Sequence, residues 1–120
     1  MEVPTLSMLC PIRERVQAIG VQMLAGDASP SEIRNYEVQL SGLLAATNKA
    51  LTGAELAYKR KLASTRALVK TAAEARMQAE AGDEYADLVD AKATKDSVME
   101  LLRTCRSHQR SLSDEMRMQR

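Results

Sequence analysis

Apolar residues recur every three or four positions through most of the chain, which is the spacing of one face of an α-helix. The last third shows the pattern most regularly, with spacings of three and four alternating through Leu88, Ala91, Lys95, Val98, Leu102, Cys105, Gln109, Leu112 and Met116. We call this stripe the seam. A heptad stripe of this kind packs along a partner helix, and only Lys95 and Gln109 interrupt it with polar side chains.

A second helix is predicted upstream of the seam, from Pro30 to about Ala81. Ser29, Pro30 and Glu32 have the residue types and spacing of a capped helix start. Its stripe begins with Leu40, Leu44, Thr47, Leu51, Ala54 and Tyr58, and smaller residues continue it through Lys61, Thr65, Leu68, Ala72, Ala75 and Ala79.

One point inside this helix leaves two alternatives open. Gly53 lowers helix propensity by roughly 1 kcal/mol against alanine, and Thr52 with Glu55 has the spacing of a new capping box. The sequence therefore predicts either a continuous helix with a bend or two helices broken near residues 47–53.

The two long arms are predicted to fold back on each other at residues 81–84, AGDE. Gly82 is expected to end the second helix in the left-handed conformation, and Asp83 is expected to cap the third. The predicted fold is all-α: a short N-terminal helix followed by a long antiparallel helical hairpin with its corner near Gly82. The predicted segments are 1–28 and 29–120.

The N-terminal segment contributes one amphipathic helix. Ile12, Val16, Ile19 and Met23 repeat at helical spacing, and Gly26 with Asp27 is expected to stop the helix. Secretion is not predicted, because Glu2 replaces a basic start and Pro4 and Pro11 interrupt the apolar run. No stretch reaches the ~20 apolar residues of a membrane span, so a cytoplasmic protein is expected.

Composition restricts how such a chain can pack. Its 120 residues include no Phe, no Trp and only three Tyr, so small apolar side chains must make the helix contacts. The two cysteines have no metal-ligand spacing and are expected to be reduced. His108 is expected on the surface. Because no glycine-rich loop or nucleophile–base pattern is present, the sequence predicts a non-enzyme without metal or cofactor.

Charge is unevenly distributed, although the net charge is only +1. Pairing about Gly82 is expected to bring these basic residues to one level of the rod: Lys59, Arg60, Lys61, Arg66, Arg103, Arg106 and Arg110. The corner would then be an acidic tip formed by Glu80, Asp83, Glu84, Asp87 and Asp90. Two interpretations stay open: a solvated coiled-coil surface, or a patch that binds the phosphates of single-stranded nucleic acid.

Self-association is the further expectation from the stripe of the second helix. Leu40, Leu44 and Leu51 lie beyond the reach of the third helix in a hairpin centred on Gly82. The N-terminal helix is expected to cover part of this stripe, and a second subunit the remainder. The sequence therefore predicts a homo-oligomer with these three leucines at its interface.

Two stretches resemble a known family: YKRKLASTRALVKTAAEAR at 58–76 and VMELLRTCRSHQRSLSDEMR at 98–117. With the short first helix and the glycine-bearing corner, they are similar to the UvsY family, the recombination mediators of T-even-type phages. The resemblance covers about half of the chain. It implies an oligomeric protein in the host cytoplasm that binds single-stranded DNA and helps to load a recombinase onto it.

Three functions are therefore weighed. The first is a phage accessory protein of DNA recombination or replication, an oligomeric scaffold with a basic DNA-facing surface. The second is a small phage protein that binds and inhibits a host factor such as a defence nuclease, with the acidic tip imitating phosphate. The third is a structural coiled-coil component. DNA binding needs the basic residues, whereas imitation of DNA needs the acidic ones.

Overall fold

The computed structural model describes residues 5–26 and 28–118, with side chains from Leu9 onward, so the predictions that involve Glu2, Pro4 and Asp27 lie outside the described residues. The described chain is all-α and without strands, which confirms the predicted fold class. Its helices are α1 (Thr5–Leu24), α2 (Pro30–Arg66), α3 (Ala72–Glu80) and α4 (Asp83–Met118).

Helix α1 is longer than the short helix expected, because it runs through Pro11 without ending there. Ile12, Val16 and Ile19 are buried, as their helical spacing predicts. The helix ends before Gly26, the one described residue with a positive φ, at 79°. A side chain is strained in that conformation and glycine is not, so Gly26 acts as the predicted stop.

Helix α2 begins with the predicted capping box. The Ser29 hydroxyl accepts from the Glu32 amide at 3.3 Å, and the Glu32 carboxylate accepts from the Ser29 amide at 3.1 Å. The helix is continuous through residues 47–53. Thr52 does not cap a new helix there, because its hydroxyl donates to the Asn48 carbonyl at 3.0 Å within the same helix.

Helix α2 ends at Arg66, however, and does not reach the predicted end near Ala81. Residues 67–71 form a turn, and Thr71 caps α3 by accepting from the Glu74 amide at 3.1 Å. The Arg66 guanidinium closes the end of α2 by donating to the carbonyls of Val69 and Lys70. Thr71 and Glu74 have the same spacing as Thr52 and Glu55, so the chain contains two possible caps and uses the second.

This early turn sets the register of the hairpin. The Tyr58 and Tyr85 rings lie 5.4 Å apart, the Glu37 carboxylate lies 3.6 Å from Arg106, and a Cβ on Gly82 would lie 3.9 Å from Lys61. Each of these pairs is symmetric about the Thr71–Ala72 bond. The hairpin therefore reverses at residues 67–71, and α3 and α4 form its second arm in succession.

Gly82 is a helix boundary, as predicted, but with a different role. Its φ is not positive, so it does not end α3 in the left-handed conformation. A Cβ there would lie 3.1 Å from the Glu84 carboxylate, so the missing side chain leaves room for the joint between α3 and α4 against Lys61. Asp83 is the first residue of α4 rather than its cap.

The seam of α4 supplies the core along most of its length. Leu88, Ala91, Val98, Leu102 and Cys105 are buried against α1 and α2, whereas Lys95 is half-buried and Thr94 is buried beside it. The Thr94 hydroxyl is satisfied, because it donates to the Asp90 carbonyl at 2.8 Å and accepts from Arg13. The seam then becomes progressively exposed towards Met116.

This register also changes the environment of the predicted oligomer interface. Leu40 is fully buried within one chain, and Leu44 and Leu51 are half-buried against the same core. The reversal at 67–71 lays α4 along all of α2, and α1 packs on both. The expectation that Leu40 needs a second subunit for its burial is therefore wrong.

The resulting molecule is a rod of 70 × 26 × 19 Å. At one end α1, α2 and α4 form a three-helix bundle, and at the other end the described helices are α2, α3 and the start of α4. No helix in the described part of the chain combines the length and the apolar character needed to cross a membrane.

Leu102→Ala tests the burial of the seam. Leu102 is only 3% exposed, so truncation should leave a cavity and lower the free energy of unfolding by about 2–5 kcal/mol. Leu56→Ala, on the exposed side of α2, is the matched control and should cost less than about 1 kcal/mol. Urea unfolding measures both, and equal losses would contradict the assignment.

Distances between spin labels test the register. With Cys10 replaced by serine, labels at positions 60 and 103 should lie about 30 Å apart, since roughly twenty residues of α4 separate position 103 from the level of Arg60. A hairpin centred on Gly82 would bring the same labels to about 10 Å, the spacing of packed helices. Distances of about 10 Å, measured by double electron–electron resonance or continuous-wave line broadening, would refute the register.

Candidate binding site at the hairpin corner

The predicted basic patch is divided in two by the register. Lys59, Arg60, Lys61 and Arg66 lie near the corner, whereas Arg103, Arg106 and Arg110 lie toward the opposite end of the rod. The level of Lys59 and the level of Arg106 differ by more than twenty residues of α4, or about 30 Å. The seven charges therefore do not form one site, which corrects the expectation that pairing about Gly82 brings them to one level of the rod.

Two of the three α4 arginines in the predicted patch are engaged with carboxylates. Arg106 lies 3.6 Å from Glu37 on α2, and Arg103 lies 3.3 Å from Glu100 one turn earlier. Arg103, Glu100 and Arg106 are largely exposed and Glu37 is partly exposed, so each pair contributes at most about 1 kcal/mol to stability. They nevertheless lower the local positive charge. This end of the rod should therefore attract a phosphate group less strongly than the sequence predicts.

A groove of about 400 Å³ lies between α2 and α3 beside the corner. Leu62 and three alanines form its apolar floor, and Lys59, Arg66 and Arg76 stand around it. No carboxylate lines this groove. We call it the corner groove. It joins Lys59 and Arg66, two of the predicted site residues, to Arg76, which the predicted site did not include.

Local sequence explains how the corner groove forms. The Thr71 cap starts α3 so that Ala75 and Ala79 are buried against the hairpin, at 1% and 0% exposure. Alanine lets the two helix backbones approach closely, and Ala63 on α2 faces Ala72 and Ala75 with equally little volume. The signal that could have located the groove is the spacing of Thr71 and Glu74, which predicts a helix start at this point.

The acidic residues predicted to form a tip lie along the flank of the rod. Asp83 and Glu84 occupy the first turn of α4, where carboxylates are favourable to the helix dipole. Asp90 lies further along and forms an ion pair with Arg13 at 3.1 Å. Burial raises the pKa of Asp87, and the neighbouring charges of Asp83, Asp90 and Glu84 raise it further.

Side chains that could ligate a metal ion are dispersed over the described residues. Among them, no group of three or more His, Cys, Asp or Glu side chains is arranged to hold a metal ion. His108 is exposed on α4. Cys105 is buried with its sulfur 3.8 Å from that of Met23, and burial together with Glu37 raises the pKa of its thiol. A raised pKa keeps the thiol protonated and poorly nucleophilic.

Comparisons of the chain with family models, with curated proteins and with solved structures found no match. The resemblance to the UvsY family stays a prediction, since none of these comparisons bears on it.

Asp87→Asn should stabilise the protein at neutral pH. The folded-state pKa of Asp87 is raised, so the folded protein loses stability as pH rises from the unfolded-state value of 3.8 through the higher folded-state value. The gain should be small, because the carboxylate is only half-buried. Thermal unfolding should show the gain at pH 7 and its disappearance below pH ~4; a gain independent of pH would contradict this origin.

Proposed function

We propose that this protein is a non-enzymatic helical scaffold whose corner groove binds an acidic amphipathic helix of a partner protein. The observation that carries this proposal is the combination of an apolar floor with Lys59, Arg66 and Arg76 around it, and no lining carboxylate. Amphipathic helices commonly dock in grooves of this type with their apolar face inward. Cations around an apolar floor select partners that carry Asp or Glu beside that face.

The expected affinity is modest, and both apolar burial and electrostatic attraction contribute to it. Leu62 and the alanines offer a small apolar area, which contributes about 25 cal/mol per Å² removed from water. The three cations add long-range attraction that accelerates encounter and that salt screens within about 10 Å at 0.1 M. A scaffold with a weak single site would gain affinity from presenting several copies of that site.

Single-stranded DNA is the second candidate ligand. Binding of this ligand would fit an accessory protein of DNA recombination or replication. Lys59, Arg60 and Lys61 are consecutive and exposed, and none forms an ion pair with another described residue. Phosphate contacts would be independent of base sequence and sensitive to salt. Base stacking has little support there, because the nearby Tyr58 ring packs on Tyr85.

Fluorescence anisotropy distinguishes the two ligands. One probe is a designed helical peptide in which leucines recur at helical spacing and glutamates flank them. The other probe is an oligothymidylate. The variant Lys59→Glu/Arg76→Glu should weaken peptide binding by roughly tenfold or more, because it places two acids beside the groove. Lys49→Glu/Lys92→Glu makes the same charge change at exposed positions away from the groove and should bind as wild type does.

The outcomes separate cleanly. Peptide binding that is lost only in the groove variant supports the protein-binding scaffold. Oligothymidylate binding that is salt-sensitive and lost in Arg60→Glu/Lys61→Glu supports the DNA candidate instead. If neither probe binds even at low ionic strength, or if both double variants lose binding equally, the corner groove is not the site.

A further inference from the structure

Helix α4 extends beyond the start of α2. In the register symmetric about the Thr71–Ala72 bond, Pro30 lies level with Ser113, so residues 114–118 have no α2 residue opposite them. Met116 and Met118 are 65% and 87% exposed, although Met116 belongs to the seam. We call residues 112–118 the tail. The seam thus continues past its partner helix and leaves an unpaired apolar end.

The tail has an acidic edge next to its apolar residues. Glu115 is exposed and is a helical neighbour of Leu112 and Met118, three residues away in each direction. Arg117 lies on a different face of the helix. Asp114 lies one turn away from it and balances its charge. An apolar stripe of Leu112 and Met116 with Glu115 beside it has the chemistry that the corner groove selects.

The corner groove lies at the other end of the same rod. Its floor of Leu62 and alanines is apolar and shallow, and its cations Lys59, Arg66 and Arg76 complement a carboxylate. Methionine side chains are unbranched and flexible, so they adapt to a shallow apolar surface more readily than branched ones. Because the rod is 70 Å long, the tail of a chain cannot reach the groove of the same chain.

We propose that the tail of one copy docks in the corner groove of the next, so that the protein assembles head to tail. This inference rests on the proposed function, since it names a second copy of this chain as a source of the acidic amphipathic helix. Such a contact is heterologous, with different surfaces on the two copies, and repeats into an open filament unless its rotation closes a ring. A helix in a short groove buries less than a standard interface, so assembly should be weak and concentration-dependent.

Two half-blocked variants test the arrangement. Lys59→Glu/Arg76→Glu damages the groove and keeps the tail, whereas Glu115→Lys/Met116→Ser damages the tail and keeps the groove. Both sets of side chains are exposed, so the fold should be retained, and circular dichroism checks this. Sedimentation velocity from roughly 10 µM to 1 mM covers the range in which a weak contact assembles.

The expected result is specific to a heterologous contact. Wild type should grow beyond a dimer as concentration rises, and Lys49→Glu/Lys92→Glu should match it. Each half-blocked variant alone should associate at least roughly tenfold more weakly, while an equimolar mixture should form a dimer through the intact tail of one and the intact groove of the other. Higher salt should weaken both assemblies.

The opposite results overturn the proposal. These are a wild-type monomer at the highest concentration, a mixture that does not dimerise, a complex that stops at a dimer insensitive to both variants, or equal losses in the charge control. The designed acidic peptide distinguishes this failure from that of the proposed function. If the tail variant still binds that peptide while wild type stays monomeric, only self-assembly is refuted; if the peptide does not bind either, both fail.

Discussion

The packing of the α4 seam along α2 fixes the register of the hairpin, and the positions of the charged groups follow from it. Val98, Leu102 and Cys105 are buried because Leu40 and the rest of the α2 stripe lie beside them, together with the apolar face of α1. A shift of the arms by half a turn would expose this core, which in a chain without Phe or Trp has few large side chains to replace it. The separation of the basic residues and the pairing of Glu37 with Arg106 are consequences of that register.

Two threonines compete for the position of the helix break, and tertiary packing decides between them. At Thr52, a break would remove Thr47, Ala50 and Ala54 from the core, and their burial outweighs the roughly 1 kcal/mol cost of Gly53 in a helix. A break before Thr71 removes little apolar surface from the core, because Leu68 is 85% exposed. The turn there places Ala75 and Ala79 in contact with the hairpin, and this gain exists only in the folded molecule.

The two ends of the rod consequently have different chemistry. At the bundle end, nearby carboxylates partly offset the charges of Arg103 and Arg106, and the exposed methionines of the tail extend past α2. At the corner end, the turn leaves a groove between α2 and α3 with cations around an apolar floor. The proposed partner binding and self-assembly both rest on these local surfaces rather than on the net charge of the chain.

Local sequence by itself determined the elements whose signals lie within a few residues. Helical periodicity gave the all-α class, the seam of α4 and the amphipathic face of α1; Ser29 with Glu32 located the start of α2, Gly26 the end of α1, and Gly82 a helix boundary. The choice between Thr52 and Thr71, the register, the burial of Leu40 and the corner groove were decided by tertiary structure. Each depends on which distant side chains are buried together, and two caps of the same local spacing differ only in the packing that a break would remove or create.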